Sequence, residues 1–179
     1  MLHFIYNDGV KIARVITAAF AAAYAIYYAF TPAAWHFIDN ANLIFHEAGH
    51  SIFFLLGDFI RIAAGSGLQI AIPLCIAIYF FVSNQRFSGA LCLLWVGQNI
   101  INVSVYAGDA IRMDLPLLGG ESVIHDWNYL LESMGILRYA STVGSFLEGL
   151  GMFVILAGIL FSFYIVWKDQ SRILLPKNL

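Results

Sequence analysis

The sequence predicts an all-α fold: a polytopic membrane helical bundle of about five transmembrane helices, with a short amphipathic helix after the fourth. Two observations carry this expectation. Of the 179 residues, 61% are hydrophobic and only 11% charged, against roughly 25% charged in a soluble domain. So little polar surface cannot cover a water-soluble globule of this size, and lipid is the solvent that fits. Five apolar stretches also approach the ~20 residues that cross the hydrocarbon. One domain, 1–179, suits the length.

The first stretch, 10–30, begins with Lys11 and Arg14 ahead of an Ala-rich run, as a secretory signal would. Tyr24, Tyr27, Tyr28 and Phe30 crowd the place where small cleavage-site residues belong, so it reads as a retained membrane helix closed by Thr31-Pro32. The second, 34–60, is interrupted by His36, Asp39, Asn40, Asn42, His46, Glu47, His50 and Asp58. The third, 68–82, is short and contains Pro73; the fourth runs over 87–106 and the fifth over 143–167. Cys75 and Cys92 both fall in apolar stretches, where a small buried hydrophobe is the usual role.

A long connection, 108–139, separates the last two stretches. Its centre, Leu115-Pro116-Leu117-Leu118-Gly119-Gly120, is apolar and breaks helices. Such a segment folds back against a bundle only where protein or a watery cavity satisfies its backbone. Beyond it, Asp126 can cap a short helix with Trp127, Leu130, Leu131 and Met134 on one face.

The net charge is −2 and no basic stripe exists, which argues against a nucleic-acid partner and leaves the lipid bilayer as the first one. An odd span count places the termini on opposite sides of the membrane. Lys11, Arg14, Arg61, Arg112 and Arg138 then face Arg86, Lys168, Arg172 and Lys177, five against four, which fixes no orientation.

The chemistry concentrates at His46-Glu47-Ala48-Gly49-His50. Residues four apart lie on one helix face about a turn apart, so both imidazoles can grip one cation. Glu47 stands beside it, outside the ligand set, where it can take a proton from a metal-activated water. Zinc is the default, because imidazole suits it and its remaining positions can stay open. By composition the pattern arises by chance roughly 0.003 times in this chain. Two His and a Glu in a membrane helix also need a compensating partner, since charged groups there cost roughly 2.5–3.5 kcal/mol each.

Asp39 and Asn42 share the face of His46 and can hold a free ring nitrogen of a ligand. In the fourth stretch Gln98, Asn102 and Asp109 line one face, with Asn102 at the depth of the metal and a candidate to hydrogen-bond substrate. Catalytic zinc expects a third protein ligand. Asp109, ending that helix, and His125, in the long connection, are the two candidates; Asp126 is explained by helix capping and ranks as a supporting group.

On these residues the chain resembles the site-2-protease family of intramembrane zinc metalloproteases, and more closely its small bacterial relatives, over roughly residues 36–127. That family pairs HExxH with an Asp from a Leu-Asp-Gly motif. The corresponding stretch here reads Leu117-Leu118-Gly119-Gly120, with Leu where the Asp stands, so the third ligand comes from elsewhere. The resemblance implies Zn2+, a membrane-protein or peptide substrate, a bacterial inner membrane, and a water deprotonated by Glu47 attacking a peptide carbonyl. A homo-oligomer or a larger membrane complex is compatible with it. A non-proteolytic membrane metalloprotein, or an assembly or binding subunit with a degenerate site, stands as the alternative.

Overall fold

The structure is a computed structural model describing residues 2–116 and 124–174, with side chains over 9–116 and 124–168. It is all-helical, with no strand among the described residues. Six α-helices follow in order: α1 (Leu2–Phe30), α2 (Phe37–Ile52), α3 (Asp58–Val82), α4 (Arg86–Gly108), α5 (Asp126–Ser133) and α6 (Ala140–Leu174). Parts of α1, α3, α4 and α6 are long and apolar enough to span, which makes the chain an integral membrane protein.

The site-bearing stretch differs from its expected extent. A helix over 34–60 would have been a fifth span; α2 has 16 residues, about 24 Å at 1.5 Å per residue against a hydrocarbon thickness of ~30 Å. Its end is set by a single 3-10 turn, Phe54–Leu56, and by Gly57 at φ 85°, a backbone conformation that side chains resist. Helix α3 then starts ten residues before the expected 68, running through Gly65, Ser66 and Gly67. Packing overrides their weak helix propensity: Gly49 of α2 lies so close to the backbone of Ala64 and Gly65 that no larger residue fits at position 49. Four spans rather than five place the two ends of the bundle's chain on one side.

Helix α4 is the axis of the bundle: 61% of its spanning stretch is buried, against 17–28% in the other three. Along α6 it is joined by small residues in close backbone contact, Gly97 with Gly151, Gly108 with Gly144, and Ala90 with Gly158. Tyr28 and Ala25 of α1 pack with Leu94, Ile101 and Ile155 on another side of it. Cys75 and Cys92 are free thiols, the first exposed at the helix surface rather than buried.

In the long connection, α5 is the expected amphipathic helix, with Leu130 and Leu131 buried and Met134 exposed. Its cap is His125, whose Nδ1 accepts the Asn128 N–H at 3.2 Å; Asp126 is the first helical residue. Leu115 and Pro116 do fold back to the bundle, lining a cavity beside His46. Leu117-Leu118-Gly119-Gly120 and Glu121 lie outside the described residues.

Candidate metal centre

His46 and His50 present their rings to the same point, 4.8 Å apart between centroids. The third side chain there is Asp126. Its Oδ2 lies 2.8 Å from His46 Nε2 and 3.1 Å from His50 Nε2. Among the described residues, these three form the one group able to hold a metal ion, with all ligand atoms within 4.8 Å of one another.

Each ring is oriented from its other nitrogen. His50 Nδ1 faces the Arg61 carbonyl at 3.0 Å, so it must donate, because a carbonyl can only accept. His46 Nδ1 faces Gln69 Oε1 at 3.1 Å. What fixes Gln69 is a relay anchored at Asp39, which is 2% exposed and acts only as an acceptor. Asp39 takes hydrogen bonds from Tyr28, Asn42, Gln98, Asn102 and the His36 backbone. Asn102 therefore turns its amino group to Asp39 and its Oδ1 to Gln69 Nε2, 2.8 Å away. Gln69 is left to offer its oxygen to His46. The proton of each neutral imidazole is thereby held at Nδ1, and both Nε2 lone pairs face Asp126.

Three acceptors converging on one point repel each other unless a cation lies between them. Tetrahedral zinc with bonds of about 2.0–2.2 Å separates its ligand atoms by about 3.3 Å, so the observed 2.8 and 3.1 Å need only open slightly. Room for the ion comes from α3: a Cβ on Gly65 would sit 2.7 Å from His50 Nε2 and 2.8 Å from His46 Nε2. Glycine leaves that volume empty. The donor set and the space both fit a small divalent metal.

Burial alone would raise the Asp126 carboxyl, but contact with the His46 and His50 rings, either of which can bring a proton to it where a metal ion does not, outweighs burial and holds it below the ordinary carboxylate range. Its backbone N–H donates to the Tyr106 hydroxyl at 3.0 Å, and Trp127 Nε1 donates to Ser66 Oγ at 3.1 Å, so α5 is pinned to α4 and α3 on either side of the carboxylate.

Asp109 and His125, the two expected third ligands, meet each other instead. His125 Nε2 lies 3.5 Å from Asp109 Oδ2. The Asp109 carboxylate accepts the backbone N–H groups of Asp114 and Leu115, closing the turn after α4. Burial lowers the His125 ring below its usual range, with the nearby Asp109 charge opposing. Asn102 has both polar groups engaged in the relay, so it positions Gln69 rather than presenting a free donor. Asn42 and Gln98 also belong to the relay, through Asp39 and through each other.

Glu47 is exposed beside His46, on the wall of a cavity of about 250 Å³. Asn102, Tyr106, the 32–35 connection and Leu115-Pro116 complete that wall. Gln69, Gly65 and Tyr106 were not anticipated. A lone amide within an apolar span, as Gln69 is in α3, was the available signal; the Arg61 carbonyl has none. Comparison with known protein families, curated proteins and solved structures finds no match.

Proposed function

We propose that the chain is an integral membrane zinc metallopeptidase that hydrolyses peptide bonds in or near the bilayer, its cation held by His46, His50 and Asp126. One observation supports the reading: two imidazole nitrogens and a carboxylate oxygen converge over a glycine, an arrangement suited to a cation. Two nitrogens and one oxygen suit zinc and leave a coordination position open. When bound, the ion supplies Lewis acidity that lets water act as a nucleophile near neutral pH.

The chain's own residues supply the rest. Glu47, next in sequence to a ligand and open to the cavity, takes the proton from water and returns it to the leaving amine. Tyr106, on the same wall, accepts the Asp126 N–H and keeps its own hydroxyl proton for a developing oxyanion. The apolar cavity walls favour a short unwound segment of a membrane protein or peptide as substrate. The likeness to the site-2-protease family in HExxH and helical setting supports the same assignment, and with it a bacterial inner membrane.

The test is metal analysis of the purified full-length chain together with Glu47→Gln. About one zinc per chain is expected in both, with peptide hydrolysis lowered ~10²–10⁴-fold in the variant, the usual contribution of a general base. Undiminished hydrolysis by Glu47→Gln would falsify the role of Glu47, and metal-free, chelator-insensitive protein would remove the centre. A second reading, a metal-holding assembly or binding subunit, is favoured by the Leu in place of the family's Asp; zinc bound without hydrolysis by the wild type selects it.

A further inference from the structure

A second cavity, of about 400 Å³, lies between α4 and α6 at the end of the bundle that holds the metal centre. Pro32 and Val105 line both this cavity and the one beside His46, so the two adjoin across a shared wall. The α6 side of the second cavity is polar. Ser141, Ser145 and Glu148 recur at intervals of four and three, which puts them on one helix face, and all three line the cavity. Phe146 and Phe153, on other faces of α6, are exposed as lipid-facing residues are.

Glu148 is the one acid in the spanning stretch 137–168, and it is partly buried. A charged group in such a stretch is costly unless a partner meets it. Among the described residues none does. Arg112 is the cation on the cavity wall, but its Nε stands 3.4 Å from Asp114 Oδ2 and 3.8 Å from Asp109 Oδ1. It also lies at the far end. Gly108 and Gly144 are in contact, α4 and α6 run antiparallel, and Arg112 and Glu148 each lie one turn beyond those glycines in opposite directions, about 12 Å apart.

We infer that this cavity receives a lysine or arginine side chain of the peptide held at the metal centre, with Glu148 pairing its charge. The inference rests on the peptidase reading and adds a selection rule to it. Val105, Gly108 and Ile111 offer the methylene stem an apolar channel, and the Ser141 and Ser145 hydroxyls can accept the N–H groups that Glu148 leaves over. Helix α4 stands between the two cavities, about 10–12 Å wide with its side chains. An extended chain covers that in about three or four residues. The preferred substrate is therefore an apolar segment with one basic residue about that far from the bond cleaved.

Binding to full-length Glu47→Gln protein in maltoside detergent tests this without requiring turnover. The probes are an apolar peptide carrying one lysine and its twin with norleucine in that place, which keeps the stem and lacks the charge. The lysine peptide should bind about tenfold more tightly, as a hydrogen bond between charged groups allows. Adding Glu148→Gln should erase that preference and leave the norleucine peptide's affinity unchanged. Ser145→Arg is a second arm: it keeps Glu148 and supplies a cation to it from one turn away, so it too should abolish the preference. Equal affinity for the two peptides, or a preference that survives both variants, overturns the assignment. So does a preference that phosphatidylethanolamine competes away, which would give the cavity to a lipid ammonium. A Glu148-dependent preference in a wild type that hydrolyses neither peptide would uphold the site and remove the peptidase reading alone.

Discussion

The two faces of α4 hold their neighbours by opposite means. Towards α6 the contact is backbone on backbone, with Gly97, Gly151 and Gly158 leaving no room for a side chain. Towards α2 and α3 the contact is a chain of amides and carboxylates running from Asp39 to Asp126. In lipid, close packing and interhelical hydrogen bonds are both ways to associate helices. Only the second is sensitive to proton placement, which is why it can serve a metal. A seam of glycines carries no chemistry; a satisfied polar network oriented by one carboxylate carries a direction.

The contrast can be broken most severely at the seam. Gly97→Leu would drive its Cβ to within 2.7 Å of the Gly151 carbonyl oxygen and Ile155 Cγ1. Overpacking of this kind costs about 1–3 kcal/mol or more. The expected outcome is loss of folded protein, read by thermal unfolding in detergent, and a normal melting curve would mean the seam is not close-packed.

On the polar side the largest effect belongs to Asp126→Ala, and to Gly65→Val, which fills the ion's volume. Zinc affinity should fall by more than the ~10–100-fold typical of an outer hydrogen-bond partner, while the helical circular dichroism is retained. Full zinc occupancy in Asp126→Ala would remove it from the ligand set. Gln69→Leu should then cost about 10–100-fold in zinc affinity, with Asp39→Asn at the lower end of that range, because each frees the His46 ring to rotate or change tautomer. Wild-type affinity in both would show that the relay orients nothing.

The smallest effect is expected at His125→Ala. Its metal affinity should equal the wild type's, while the α5 cap, worth about 1 kcal/mol, and the contact with Asp109 are lost. A collapse of zinc binding there, matching that of Asp126→Ala, would return His125 to the ligands.

The bundle was readable from composition and from where apolar runs start and stop, because lipid imposes both. His46, Glu47 and His50 were readable because helical periodicity converts spacing into a shared face. Helix α2 was overestimated in length, since Gly57 gives no sign in sequence of the turn that ends it. The third side chain of the cluster eluded spacing altogether. Asp126 and His125 are neighbours, and which of them caps α5 and which turns to the motif depends on Tyr106 and Asp109 across the fold. The relay was half visible: Asp39, Asn42, Gln98 and Asn102 were marked by polarity, whereas Gln69 looked like one amide in a long apolar run.

Asp126 stands 80 residues from His46 along the chain. An ion held between them would therefore be a staple, closing a loop that includes α3, α4 and the whole turn region up to α5. Its removal would undock more than an inorganic group: α5, only eight residues long, would lose its tether to α2. Metal loading and the seating of that small helix should thus rise and fall together, a coupling that hydrogen exchange at the Leu130 and Leu131 amides can follow with and without chelator.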